Sequence, residues 1–163
     1  MQWALGQNDP AGWLDVQHHA PDRTASFLDA LDGPFKTHLD RYKYASRFDV
    51  RAALEHRTAG AAILAEFDAS LASQPSLSGE KHGLLDFATL PFVRQFRIAD
   101  PVWFDAQPWP HLHHWLQDFL ESHQFASVMK KYAIWQQGAD PVSFPEIVES
   151  ETGGAADIGQ GTV

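Results

Sequence analysis

Cysteine is absent from this chain of 163 residues. That excludes disulfides, a thiolate nucleophile and every zinc site that uses Cys. Basic residues are few: 12 Lys and Arg stand against 21 Asp and Glu, for a formal net charge of −9. Nucleic acid and anionic membranes are therefore poor partners. No apolar run approaches the length of a membrane span. The N-terminus has no basic stretch followed by an apolar one, so no secretory signal is read there. Alternation with a period of two is missing, which leaves no convincing strand. Without a strand there is no Gly-rich phosphate cradle behind one and no nucleophile elbow. Together these absences lead to the expectation of a soluble, cytoplasmic, all-α protein.

What is present suits one folded unit. Hydrophobic residues make up 44%, enough for a single packed core. The apolar residues recur at helical spacing. Residues 1–7 read as a helix end that stops before Asn8-Asp9-Pro10, and residues 12–21 read as a loop with Trp13 and Leu14 turned inward. Phe27, Leu28 and Leu31 mark a helix that Asp32-Gly33-Pro34 interrupts, and Phe35, Leu39 and Tyr42 resume the pattern. Asp49 is placed to cap a long helix bearing Leu54, Leu64, Phe67 and Leu71. Gly60 lies inside that helix, where it costs stability unless another helix comes close.

Residues 73–83 read as a polar loop. The segment from Leu84 to about Arg97 is apolar nearly all round, which belongs at the centre of a bundle. Pro91 should bend it. Pro110 suits the first turn of a helix with Leu112, Trp115, Leu116, Phe119 and Leu120 on its buried side. Ser122 can cap a last helix bearing Phe125, Val128, Met129 and Tyr132. The division expected is a helical domain over residues 1–135 and a flexible tail over 136–163, Gly-rich and polar from Gly153.

The specific signal lies in the central helix. Asp86 followed by Pro91-Phe92-Val93-Arg94-Gln95-Phe96 resembles the core helix of the glutathione S-transferase C-terminal domain. Trp3-Ala4-Leu5, Gly12-Trp13-Leu14, Gly33-Pro34-Phe35-Lys36, Leu39-Asp40-Arg41-Tyr42-Lys43-Tyr44, Trp103-Phe104, Trp115-Leu116, Val128-Met129, Lys131-Tyr132 and Trp135 follow in the order of one bacterial branch. The resemblance covers about Trp3 to Trp135. In that family a Ser or Thr, two residues and an Asp form a reciprocal capping box at the start of the core helix. Here the cap position is Gly83 and the third helical position is Asp86, so half of the box is expected: Asp86 can reach the Gly83 amide. His82 replaces the usual apolar staple residue. Gly83→Ser should then restore the lost half and stabilise slightly.

The resemblance implies a bundle that walls the pocket for an electrophilic co-substrate and supplies dimer scaffold. The thioredoxin-like domain that binds and activates glutathione in the family has no counterpart in this sequence. Glutathione is therefore not expected to bind this chain alone, and no catalytic residue can be carried over. A homodimer or the missing domain is the expected partner; a non-catalytic docking or dimerisation module is the alternative. Trp3, Leu5 and part of Leu84–Phe96 would lose their cover without that domain. Tyr42 and Tyr44 are the candidate pocket residues, where a phenol could donate to developing negative charge; packing is the competing role. Arg94, on an apolar helix, needs a partner, with Asp86, Asp100 or the missing domain as sources. His111, His114 and Asp118 share a helical face at a spacing that could ligate zinc, but such pairs are common on solvated helices, and no metal site is assigned.

Overall fold

The computed structural model describes residues 1–142, so the expected tail from Gly153 to Val163 lies outside the described residues. Two compact units are distinguished, Met1–Lys130 and Lys131–Val163. The first is all-helical: α1 Gln2–Gln7, α2 Asp15–His19, α3 Pro21–Ala30, α4 Lys36–Lys43, α5 Ala53–Leu71, α6 Leu84–Ala99, α7 Pro101–Asp105, α8 Pro110–Leu120 and α9 His123–Val128. Among the described residues there is no β-strand, only an isolated bridge between Ser76 and Gly79. None of the described helices is long and apolar enough to cross a membrane.

Local chemistry sets most helix boundaries. Asp49 accepts from the Arg51 amide at 2.8 Å and opens a 3-10 turn, Val50–Ala52, that feeds α5. Asp100 accepts from Trp103 N at 3.1 Å and starts α7 with Pro101 in its first turn. Ser122 does the same for α9 through Phe125 N at 3.1 Å. Each such cap contributes about 1 kcal/mol. Asp9 fastens the entry: its two oxygens accept from Leu14 N at 2.8 Å and Trp13 N at 2.9 Å. Those amides, Leu14 first, hold the Asp9 carboxyl below its ordinary pKa.

Three sequence expectations are corrected here. Residues 12–21 are not all loop, because α2 forms after Leu14. Asp32-Gly33-Pro34 does not break the chain into two helices; a π turn over Leu31–Phe35 joins α3 to α4. The Lys36 amide reaches back to Leu31 O, a wider turn than an α-helix makes. Pro34 has no amide to donate and its ring would crowd the carbonyl of Ala30, so widening accommodates it. The last helix ends at Val128, and Tyr132 lies beyond it. In the second unit, residues 131–142 carry no helix.

α6 fills the centre. Leu84, Leu85, Leu90, Val93 and Phe96 are at most 1% exposed. The helix runs through Pro91, whose ring lies on its exposed side. Phe35, Leu39, Leu64, Phe67, Phe104, Leu112, Trp115 and Leu116 close around it. Burying each large side chain contributes on the order of 1.5–3 kcal/mol. Phe87, Ala88 and Phe92 on the same helix are only half-buried and Pro91 is exposed, so part of the segment does lie toward the surface. Trp3, at 81% exposed, does stand in the open.

Gly60 has its partner. A Cβ built there would lie 2.6 Å from Cε2 of Phe96 and 3.1 Å from Cζ. Glycine lets the ring of α6 rest on the backbone of α5.

Candidate functional site

The start of α6 is built around one carboxylate. Asp86 is 0% exposed. Its Oδ1 accepts from Leu77 N at 2.8 Å and from the Trp115 indole at 2.9 Å. Its Oδ2 accepts from Gly83 N at 3.0 Å and Ser78 N at 3.1 Å. Four donors fill the acceptor capacity of an ionised carboxylate. Asp86 thus ties the loop before α6, the helix start and α8 together, and has no acceptor site left over for chemistry.

A residue of the preceding loop serves another amide of the first turn. Ser78 Oγ accepts from Leu85 N, the second amide of α6, at 3.2 Å. A Cβ on Gly83 would meet Ser78 Oγ at 3.0 Å and the Trp13 carbonyl at 3.1 Å. A side chain at position 83 would have to fit in space that Ser78 and the Trp13 carbonyl already line, beside a first-turn amide that Ser78 already holds. His82 sits edge-on to Phe87 with ring centroids 6.3 Å apart, at the two positions a hydrophobic staple uses.

Tyr42 and Tyr44 are placed differently. Tyr42, on α4, packs its ring against Phe96 with centroids 5.1 Å apart. Its hydroxyl is buried and makes no hydrogen bond of good geometry. The Arg57 guanidinium lies 6.0 Å from its ring centre. Burial pushes the Tyr42 phenol above its ordinary pKa, and Arg57 opposes this. Tyr44 ends α4 and is exposed, with Lys43 Nζ 5.0 Å and the Arg47 guanidinium 4.7 Å from its ring centre. One phenol is turned into the bundle and the other is held between cations at its surface.

Arg57 is the residue that sequence reasoning passed over. Its guanidinium lies 4.5 Å from the Trp103 ring centre and 3.5 Å from Asp100 Oδ2. It joins α5 to α7 beside the Tyr42 hydroxyl. Its place on the apolar stripe of α5 is the signal that could have found it. Arg94 does not behave as expected: no carboxylate pairs with it among the described residues, and it stacks over Phe125 at 5.5 Å instead.

Cavities lie away from Tyr42, Tyr44, Arg57 and Arg94. One of about 370 Å³ is lined by Arg97, Phe104, Asp105, His113, Gln117 and Leu120, among others. Arg97 and Asp105 meet there in a two-pronged pair at 2.7 and 2.8 Å. That pairing holds the Asp105 carboxyl below its ordinary pKa. Another, of about 380 Å³, lies by Trp13, His19, Arg23 and Lys81. Neither includes Tyr42 or Tyr44.

His114 Nε2 lies 3.4 Å from Asp118 Oδ2, whereas the His111 backbone amide is engaged by Asp68 at 2.9 Å. Among the described residues no group of three or more His, Asp or Glu side chains is disposed to hold a metal.

The arrangement is a helical bundle around a buried core helix, started by a carboxylate three residues after its cap. The family model described as glutathione S-transferase, C-terminal domain, matches residues 22–118, from α3 into α8. The chain belongs to that family. No curated protein and no solved structure matches it.

Proposed function

We propose that this chain is the helical portion of a cytosolic glutathione transferase, forming one wall of the pocket for an apolar electrophile and part of a dimer scaffold. Family membership over residues 22–118 supports the transferase class. The observation that carries the pocket wall is the Tyr42 hydroxyl, a buried donor without a partner beside a cationic side chain. An electrophile whose leaving group or carbonyl gathers negative charge would find there a phenol and a guanidinium. Arg57 is 23% exposed at its side chain, so its movement would open the phenol to a ligand. Glutathione itself is assigned to residues outside the helical unit, and the chain alone is proposed not to conjugate it.

The test is a titration of the purified chain with a chloronitroarene, followed by quenching of tryptophan fluorescence. Saturable binding that weakens severalfold in Tyr42→Phe supports the reading. Absence of binding, or binding indifferent to Tyr42 and Arg57, overturns the pocket wall. Passage over immobilised glutathione, with a thiol-conjugation assay, checks the other half; specific retention with turnover would contradict it.

The alternative reading, a non-catalytic docking or dimerisation module, draws on Phe48, Val50 and Leu54, which are each at least 59% exposed around the turn between α4 and α5. Clustered apolar exposure of this kind marks contact surfaces. Sedimentation at low and moderate salt, with dye binding to exposed apolar surface, separates the two: self-association strengthened by salt favours a helical portion that has lost its cover, because salt screens the repulsion of a −9 chain, and a monodisperse monomer that binds no dye favours the autonomous module.

A further inference from the structure

α4 and α5 are pinned together by two histidines. His38 Nδ1 and His56 Nδ1 stand 3.0 Å apart, and their ring centroids 5.2 Å apart. Both nitrogens therefore lie near the line joining the rings, so the contact is end-on. An end-on N···N contact needs one nitrogen to donate and the other to accept. Two neutral rings satisfy this, with one tautomer of each kind. One cation and one neutral ring satisfy it as well. Two cations do not, since both nitrogens then carry a proton.

We propose that His38 and His56 form a proton-sharing clasp across the α4–α5 seam, held while at least one ring is neutral and released when acid charges both. The surroundings give a doubly charged pair no relief. On α4, Lys36 and Asp40 are paired with each other, and Arg41 adds positive potential at His38. On α5, Glu55 is exposed and forms no ion pair with either ring, and Arg57 is committed to Asp100 and Trp103. From α6, Gln95 accepts from Lys43 Nζ. Asp32 in the preceding π turn and Arg47 in the following turn are exposed. No carboxylate lies within ion-pair distance of either histidine among the described residues. Burial first, then His56 and Arg41, lowers the His38 pKa below its ordinary value. The folded chain consequently binds fewer protons here than the unfolded chain. The clasp's stabilisation is present above the ordinary histidine pKa and is lost as pH falls below it.

The place of the clasp gives it a consequence. Tyr42 lies one helical turn beyond His38, and Arg57 follows His56 directly. The seam that carries the Tyr42–Arg57 contact is the seam the clasp holds. The inference thus bears on the proposed pocket wall, but its test needs no electrophile.

Histidine side-chain NMR is followed from pH 8 to pH 5 in the full chain. A His38 step below the ordinary histidine range is expected. In His56→Gln an amide replaces the titrating ring, and His38 should then titrate in one step at higher pH. Amide protection factors at residues 42–44, taken relative to the intrinsic exchange rate at each pH, should fall in acid in the parent and lose that dependence in His56→Gln. The reciprocal variant, His38→Gln, guards against a folding defect in the first and should give the same loss. Independent titration of both rings in the parent, with His38 unmoved in His56→Gln, overturns the clasp. Loss of electrophile binding alone would leave the clasp standing and count only against the pocket wall.

Discussion

Gly60→Ala sets two effects of opposite sign against each other. Alanine is the better helix former by about 1 kcal/mol at an interior position. On an open helix face the substitution would stabilise by that amount. Here the new methyl would lie 2.6 Å from Cε2 of Phe96, where carbon atoms normally rest at about 3.5–4.0 Å. Phe96 is 0% exposed, and its ring is hemmed by Phe35, Tyr42 and Trp103 with centroids 5.9, 5.1 and 6.3 Å away. It has no free direction in which to yield. Overpacking of a buried site costs about 1–3 kcal/mol. The net expectation is a loss of up to ~2 kcal/mol, read as a lower urea midpoint at unchanged slope. The decisive measurement repeats the substitution in Phe96→Leu. That background carries its own cavity cost of about 1–2 kcal/mol, but the ring is gone. Gly60→Ala should then stabilise by up to ~1 kcal/mol, the propensity term alone. Equal effects in the two backgrounds, or stabilisation of the parent chain, would refute the claim that Phe96 is why position 60 is glycine.

Asp86→Ala should cost at least ~3 kcal/mol, because it strands several buried donors at once, each worth about 1–3 kcal/mol when unsatisfied; an unchanged melting temperature would sink the assignment. Gly83→Ser should destabilise, and Ser78→Ala should lose about 1 kcal/mol, as removal of a cap does; a stabilised Gly83→Ser would show that Ser78 does not hold the cap. Asp105→Asn should cost less than ~1 kcal/mol, since the pair with Arg97 is half-exposed. The Asp105 pKa is lowered on folding, so its contribution is present above the ordinary carboxyl range and lost as pH falls through the folded value. The difference between parent and Asp105→Asn should accordingly vanish in acid, as seen by denaturant titrations at several pH values.

Where the sequence was legible, the signal was local. Asp49, Pro110 and Ser122 stand within a few residues of the groups they order, and caps follow from such spacing. The apolar periodicity of Leu84–Phe96 likewise placed the central helix. What stayed hidden depends on partners distant in the chain. Nothing near Gly83 reveals that Ser78 serves its helix, and nothing near Gly60 reveals Phe96. Arg94 was matched to carboxylates, whereas a ring more than a helix length away receives it. The Asp-Gly-Pro triplet reads as an interruption, yet the helix passes through it, with buried Leu31 and Phe35 holding both sides to the core. Of the pocket candidates, Tyr42 and Tyr44 share a short stretch of sequence, but burial separates their phenols. Arg57 reads as one more residue on a stripe until Trp103 and Asp100 fold against it.

The wide turn at Leu31–Phe35 has a consequence for the lineage of the chain as well as for its shape. A turn of this kind holds one residue more than an α-helical turn. The wider turn absorbs that residue, so the helical faces before and after it stay close to one phase. Phe27, before the turn, stacks on Phe67 at 5.2 Å, and Phe35, at its end, meets the same ring edge-on at 5.9 Å. Deleting Asp32 or Gly33 would draw the turn in toward an α-helical one and set the Pro34 ring against the carbonyl one turn before it. A homologue shorter by one residue here should therefore keep α3 on the core but lack the proline, so that loss of a residue and loss of Pro34 should go together between relatives.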